Sequence, residues 1–183
     1  MSTAFLILLG ALLINVIESA CPAVSIAAYK YYYIAFANSP TFFFYHNHDD
    51  YYDTGIQLTP NTTSTRFQVW KLFPGTGNSY YINSVKEWRM ILSDTSDNTG
   101  DPYLAYLAPR TMANEQQWNI IPQAAPNTFR ITNMSTGRTV YTNITSIVNG
   151  TKVYYSSIPA NINSVSSDLC FTEVPISALP VDY

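Results

Sequence analysis

Two histidines and three aspartates cluster in one short segment, and these residue types can bind a transition metal. His46 and His48 lie two residues apart, so on a β-strand both side chains would point to the same face. Asp49, Asp50 or Asp53 could then complete a set of ligands that suits Zn²⁺. The same residues are also typical of a polar hairpin tip. We favour the hairpin tip and predict no metal site.

The acidic loop from Asp94 to Asp101 carries oxygen ligands of the kind that Ca²⁺ prefers. Its sequence, DTSDNTGD, does not have the spacing of an EF-hand loop, which ends in a glutamate at its twelfth position. Its composition is typical of a solvated turn. We therefore predict an ordinary loop here.

Motifs for nucleophilic catalysis are missing from the sequence. The only two histidines lie in the segment already described, and neither a Gly-x-Ser-x-Gly motif nor a Cys–His arrangement occurs. The composition also excludes one class of partner: the net charge is −3 without basic clusters, whereas nucleic-acid binding needs Lys and Arg on one face. We predict a non-enzyme that has no cofactor and does not bind nucleic acid.

The chain contains three copies of one pattern, and this repeat predicts the architecture that would position any site. Trp70 and Trp118 each follow a Gln by two residues, and each precedes a Pro by four. Phe171 takes the equivalent place in a third, weaker copy that ends at Pro175. A period of about 50 residues is typical of proteins built from repeated units. We expect Trp70, Trp118 and Phe171 to meet in the core.

Each repeat contains four short runs that have the composition of β-strands. The runs are rich in Tyr, Phe, Ile, Val and Thr and are bounded by Pro, Gly, Asn and Ser; they include residues 66–73, 88–93 and 116–121, which we expect to be strands. Ile34, Ile82 and Ile131 hold one register at spacings of 48 and 49 residues. Twelve strands in three units predict a β-trefoil, a six-stranded barrel capped by three hairpins. An open sandwich would also have short strands, but it would not explain the three copies.

The predicted domain organisation is one trefoil between two short terminal segments. Residues 4–17 form an apolar run that is short for a membrane span, and small residues follow it. We predict a signal peptide over residues 1–20 and therefore no membrane span in the mature chain. The single β-trefoil domain covers residues 21–175, with repeats at about 29–74, 75–122 and 123–175. Residues 176–183 form a C-terminal tail.

Secretion is supported by four Asn-x-Ser/Thr sequences, which are acceptors for N-linked glycans in secreted proteins. The four acceptors are Asn61, Asn133, Asn143 and Asn149. The only two cysteines, Cys21 and Cys170, could form one disulfide in an oxidising compartment, or Cys170 could be a buried free thiol. We predict a secreted, extracellular glycoprotein and leave the disulfide open.

The repeats resemble a known family, the ricin B-type (R-type, Gln-x-Trp) lectins. The resemblance lies in the pattern Ile131-Thr132-Asn133-x-x-Thr136-Gly137-x-x-Val140 and in the Gln-x-Trp ends of repeats one and two. It covers most of residues 31–175 and implies a non-catalytic, carbohydrate-binding β-trefoil. The repeated residues Gln68, Trp70, Gln116 and Trp118 are expected to be mainly core and strand-pairing residues.

A sugar site in this family combines three parts within one repeat. They are an Asp after the second strand, an aromatic near the third strand, and an Asn or Gln beside the Gln-x-Trp motif. A carboxylate suits a pair of ring hydroxyls, and an aromatic face suits the apolar face of the ring. Only repeat two carries such a set, and the resemblance therefore implies a sugar site at Asp94, Tyr103, Tyr106, Asn114 and Gln116.

The aromatic residues between positions 29 and 52 exceed what one strand pair needs for its core. They are consistent with a binding surface for a glycan or a protein, or with barrel strands that are buried on both faces. The leading partner is a glycan or a glycosylated surface. The alternative is a protein target that is bound through the loops, as β-trefoil protease inhibitors do.

Overall fold

The computed structural model describes residues 21–46, 55–61, 66–94, 103–143, 146–156 and 167–179. Several predictions concern residues outside these ranges: the signal peptide over residues 1–20, His48 with the neighbouring aspartates, and the acidic loop beyond Asp94. Within the described residues, no helix is long and apolar enough to cross a membrane. In the same part of the chain, no three His, Cys, Asp or Glu side chains are grouped so that they could hold a metal ion.

Short β-strands are the main secondary structure of the described chain, as the β-rich runs predict. The strands are β1 (Tyr31–Phe36), β2 (Phe42–Tyr45), β3 (Gln57–Pro60), β4 (Trp70–Pro74), β5 (Ser79–Ser84), β6 (Met90–Ser93), β7 (Tyr103–Leu104), β8 (Tyr106–Pro109), β9 (Trp118–Pro122), β10 (Phe129–Asn133), β11 (Thr139–Tyr141), β12 (Thr151–Lys152), β13 (Tyr154–Ser156) and β14 (Leu169–Val174). Single 3₁₀ turns cover Arg66–Gln68, Asn114–Gln116 and Ile176–Ala178.

Each repeat forms a unit of four strands, the third of which is divided in two in repeats two and three, and six of the strands close into a barrel. The first and fourth strands of the three repeats pair in an unbroken antiparallel ring, in the order β1, β4, β5, β9, β10, β14 and back to β1. The second and third strands form hairpins outside this ring, for example β2 with β3 and β6 with β8. This arrangement is a β-trefoil, so the predicted fold is confirmed.

The third strands of the repeats meet around the pseudo-threefold axis. Ile56, Ala105 and Val153 stand at equivalent positions, and Ala105 and Val153 interrupt the third strands of repeats two and three. The N–H of Ile56 donates to Ala105 O at 2.6 Å, that of Ala105 to Val153 O at 2.8 Å, and that of Val153 to Ile56 O at 3.0 Å. All three residues are fully buried. A closed ring of three backbone hydrogen bonds, one donated by each repeat, therefore surrounds the pseudo-threefold axis.

The predicted core residues are buried together. Trp70, Trp118 and Phe171 are at most 1% exposed and belong to one hydrophobic cluster. Both indoles also make the same polar contact: Trp70 Nε1 donates to Phe44 O at 3.2 Å and Trp118 Nε1 to Leu92 O at 2.9 Å. Each Trp thus fills the barrel and fixes the second strand of its own repeat.

The aromatic segment of repeat one alternates between the two faces of the barrel wall. Tyr32 and Phe36 are fully buried in the interior, whereas Tyr31 and Tyr33 are half-buried on the outer face. On that outer face the ring of Tyr33 stacks on Phe43, with centroids 4.5 Å apart. The excess aromatics therefore supply both a core layer and part of an outer surface.

A disulfide joins the N-terminal segment of the described chain to the last strand. Cys21 and Cys170 are bonded, their Cα atoms are 5.1 Å apart, and both residues are buried. The bridge spans 149 residues of sequence, so it ties the two ends of the trefoil together.

Candidate functional site

The structure gives Asp94 a structural role instead of the sugar-binding role implied by the resemblance. Asp94 is only 1% exposed, and its Oδ1 accepts a hydrogen bond from Arg138 Nη1 at 2.8 Å. Its Oδ2 accepts a hydrogen bond from the hydroxyl of Thr136. Both partners belong to the turn between β10 and β11. The carboxylate therefore joins repeat two to repeat three and does not face a ligand.

The position of Asp94 explains this burial. By the pairing of the strands, Asp94 is equivalent to His46 in repeat one and to Thr142 in repeat three, and all three residues are buried. The backbone repeats as well: the N–H of His46 donates to Phe67 O, and the N–H of Asp94 donates to Glu115 O. A residue at this position comes directly after the second strand of its repeat, and it is buried in the interior in all three repeats.

Gln116 holds the loop that precedes its own strand. Its Oε1 accepts hydrogen bonds from the N–H groups of Thr111 and Met112, both at 3.0 Å, and its Nε2 donates to Pro109 O at 2.8 Å. Gln68 does the same in repeat one, where its Nε2 donates to Pro60 O at 3.0 Å. Both glutamines are buried in 3₁₀ turns, so the fourth strands begin at Trp70 and Trp118 and not at the Gln or earlier. Their amides are used by the fold and are not available to a sugar.

The remaining members of the repeat-two set do not form a complete site. Asn114 is exposed, and its Oδ1 accepts a hydrogen bond from Gln117 Nε2 at 2.9 Å. Tyr106 is half-buried in β8 and lies opposite Ser93 of β6. The side chain of Tyr103 lies outside the described part of the structure. Asn114 and Tyr106 therefore remain candidates for ligand contact, but without the carboxylate that the resemblance pairs with them.

One of the four expected glycan acceptors is buried. Asn133 is 1% exposed, its Nδ2 donates to Glu115 O at 2.8 Å, and its Oδ1 accepts from the N–H groups of Ser135 and Thr136. An amide with these partners cannot carry a glycan in the folded protein, so this prediction is wrong. The other three acceptors are exposed: Asn61, Asn143 and Asn149.

A groove on the outer face of the barrel is lined by aromatic, positively charged and polar side chains. We call it the barrel-side groove, and its volume is about 210 Å³. It lies where repeat one meets repeat two, and it is lined by residues of both. Its principal residues are Tyr31, Lys71, Phe73, Asn83, Trp88 and Arg110.

The strand register sets the floor of the groove. Tyr31 lies opposite Lys71, and Lys71 lies opposite Asn83, so the three residues form one row across β1, β4 and β5. Their neighbours Tyr32 and Leu72 point into the barrel and are fully buried. Because side chains alternate along a strand, the row must face outward.

Aromatic rings and cations alternate within the groove. Lys71 Nζ lies 4.9 Å from the centre of the Tyr31 ring and 5.0 Å from that of Phe73. The guanidinium of Arg110 lies 4.9 Å from the centre of the same Phe73 ring. Cations at these distances are attracted by the ring faces. The rings therefore hold both positive charges at the surface of the groove.

The short turn between β5 and β6 forms the remaining wall of the barrel-side groove. Ser84 Oγ accepts from the N–H of Glu87 at 3.1 Å, and Asn83 Nδ2 donates to Trp88 O at 2.8 Å. These contacts close the turn between β5 and β6 and leave Trp88 at its end, 65% exposed. The guanidinium of Arg89 lies 4.6 Å from the centre of the Trp88 ring.

Sequence reasoning did not find this groove. Trp88 was expected to begin a strand, but β6 begins at Met90, and the indole lies in the turn. The available signal was the alternation Trp70-Lys71-Leu72-Phe73, which places Lys71 and Phe73 on the face opposite the core. The contribution of Arg110, far along the sequence, required the structure.

Comparisons with known proteins agree with this architecture. Residues 66–156 match the family model described as ricin-type beta-trefoil lectin domain-like. Among curated proteins, none matches the sequence significantly. The designed 3-fold symmetric protein ThreeFoil is similar in structure, with a TM-score of 0.65 and 14% identity over 79% of this chain and 99% of that chain.

Two natural proteins show the same likeness at low identity. A lectin from Polyporus squamosus, solved bound to a human-type influenza-binding epitope, has a TM-score of 0.64 and 18% identity over 81% of this chain. A mosquitocidal holotoxin has a TM-score of 0.72 and 16% identity over 84% of this chain. The chain spans 50% of the lectin chain and 18% of the holotoxin chain. At these identities the likeness shows the fold alone. The closed three-repeat barrel agrees with the sequence match, which relates residues 66–156 to the ricin-type β-trefoil lectin-like family.

Proposed function

We propose that this protein is a secreted, non-catalytic carbohydrate-binding protein that attaches to a glycan or a glycosylated surface. The observation that carries the proposal is the match of residues 66–156 to the ricin-type lectin-like family, together with the trefoil architecture of the three repeats. The same fold hosts many activities, so the fold by itself would not be sufficient.

Three features support secretion. The apolar run at residues 4–17 has the length of a signal-peptide core. Cys21 and Cys170 form a disulfide, a bond that persists in oxidising compartments. Asn61, Asn143 and Asn149 lie in acceptor sequences and are exposed. The absence of a catalytic motif from the sequence supports a binding role.

A glycan array tests the proposal. The mature chain, residues 21–183, is expressed in a cell that adds N-linked glycans and applied to a broad array of printed glycans. Binding to a defined class of sugar is the expected result. The same protein after enzymatic removal of its N-linked glycans is the control, because its binding must not depend on its own glycans.

The alternative protein-binding function gives the opposite pattern. A blank array from a protein whose circular dichroism spectrum shows an intact β fold would contradict carbohydrate binding. Inhibition of serine or cysteine proteases by that preparation would then favour a trefoil that acts on a protein target.

A further inference from the structure

We propose that the barrel-side groove binds an anionic saccharide unit, a sugar ring that carries a carboxylate or a sulfate ester. This inference rests on the carbohydrate-binding function proposed above and names both a site and a ligand class for it. The groove lies on the barrel wall between repeats one and two, and Asp94, Asn114 and Gln116 of the repeat-two set are not among its lining residues.

The apolar part of the ligand would lie against exposed aromatic rings. Trp88 is 65% exposed at one wall, and the ring of Tyr31 lies on the floor. Trp is among the residues that dominate binding energy at interfaces. A sugar ring presents C–H groups on one face, which suit such a surface.

The anionic group of the ligand is inferred from the positively charged side chains of the groove. Lys71 and Arg110 both approach the Phe73 ring, and Arg89 lies on Trp88 at the rim. Within the part of the chain that the structure describes, none of these three cations is ion-paired with a carboxylate. They form a positive face on a chain whose net charge is −3. Such a face attracts anions and repels a cationic ligand.

Comparison of equivalent positions in the three repeats shows that the pair of Lys71 and Phe73 occurs only in repeat one. Lys71 corresponds by position to Asn119 and Thr172 in the other repeats, because each directly follows the core aromatic. The position of Phe73 is taken by Ile121 in repeat two. The core aromatics are kept in all three repeats, whereas the cation is not. The groove is therefore a local addition to the scaffold and not a requirement of the fold.

The dimensions limit the size of the occupant. A volume of about 210 Å³ lies below the range of about 300–1,000 Å³ that is usual for pockets enclosing a drug-sized ligand. The groove would therefore accept one sugar ring with its anionic group, and any further rings would extend into solvent. Asn83 and Ser84 also line the groove, but both are only 2% exposed and their side chains close the turn between β5 and β6.

The test uses three probes that differ in one group: lactose, 3′-sulfolactose and 3′-sialyllactose. Binding to the mature protein is measured by titration calorimetry, or by saturation-transfer NMR if it is weak. We expect one or both anionic probes to bind at least about 10-fold more tightly than lactose, since a charge-assisted contact is stronger than a neutral one. Their binding should weaken as salt is raised. The probe that binds identifies the group as a sulfate ester or a carboxylate.

Variants then locate the site. Lys71→Gln/Arg110→Gln should weaken the anionic probe about 10-fold or more, and Trp88→Ala should weaken it by a similar factor. Lys152→Gln, which removes one positive charge from a strand outside the groove, is the matched control and should leave binding unchanged. Urea unfolding of each variant checks that the fold is retained, which is expected because these side chains lie on the outer face.

The outcomes separate this inference from the proposed function. Equal affinity for lactose and the anionic probes, or equal binding by the wild type and the groove variants, would overturn the inference and leave carbohydrate binding intact. Binding of an acidic peptide such as poly-glutamate, without binding of any saccharide probe, would also overturn it. A blank glycan array would instead overturn the proposed function itself.

Discussion

Removal of the Asp94 carboxylate should destabilise the protein without acting on a ligand site. The side chain of Asp94 is 1% exposed and that of its partner Arg138 is 14% exposed, so the pair is largely shielded from water. Removing one partner of a buried ion pair costs about 3–5 kcal/mol, because the other charge stays behind uncompensated. Arg138 retains some contact with water, so we expect about 3–4 kcal/mol for Asp94→Ala, including the lost bond to Thr136. That loss would lower the melting temperature by about 10 °C in a domain of this size.

Urea unfolding followed by fluorescence measures this change, and a double-mutant cycle assigns it to the pair. Arg138→Met should cost a similar amount, and the double variant should cost less than the sum by about 0.5–3 kcal/mol. Glu173→Gln is the control, because it breaks a pair with Lys30 whose side chains are 54% and 40% exposed, and it should leave the midpoint unchanged. If Asp94→Ala unfolded at the wild-type urea concentration and yet lost glycan binding, the structural role assigned to Asp94 would be refuted.

Three further predictions concern the stability and modification of the fold. Replacing Cys21 and Cys170 by Ser should lower the free energy of unfolding by up to about 5 kcal/mol, since the bridge closes a loop of 149 residues; a urea midpoint that matches the wild type would contradict this. Burial, and secondarily the charge of Asp94, raises the pKa of Tyr155 well above its usual value, so the folded chain retains a proton that the unfolded chain releases above pH about 10. Stability should therefore fall as the pH rises above about 10, and urea midpoints between pH 8 and 11 should decline less steeply for Tyr155→Phe. Glycopeptide mapping of the secreted protein should find Asn133 unmodified, and a glycan on Asn133 of folded protein would show that its amide is not held as the structure places it.

The fold could be predicted from the sequence because its determinants are repeated. Trp70, Trp118 and Phe171 had to share an environment, and three such units can bury their apolar faces only by closing on one another. The strand boundaries were less accurate: the two Gln-x-Trp glutamines were expected in strands but lie in 3₁₀ turns, because their amides bond to the preceding loop. A hydrogen bond from a side chain to a loop several residues earlier leaves no mark in residue periodicity.

The site was less predictable, because residue type does not reveal direction or partner. Asp94 has the type and approximate position that a sugar-binding carboxylate needs, but it enters the interior and meets Arg138 of the next repeat, 44 residues away. Trp88 was assigned to a strand from its composition, whereas the bond from Asn83 to its carbonyl ends a turn there and exposes the ring. The first outcome depends on a contact between two repeats and the second on a side-chain hydrogen bond within one turn, and residue type records neither.

The comparison of equivalent positions explains why the inside and the outside of this trefoil diverge. Interior positions such as Ile34, Ile82 and Ile131 face the same shared core, so a change in one repeat must be compatible with the other two. Outer positions have no such constraint, and Lys71 can differ from its counterparts without affecting the barrel. The barrel-side groove combines outer residues of repeat one with the turn of repeat two, and Asp94 joins repeat two to repeat three. Differences between the repeats therefore have two consequences. Buried residues that differ, such as Asp94, connect neighbouring repeats. Exposed residues that differ, such as Lys71, give the boundary between repeats one and two a chemistry that the other boundaries do not have.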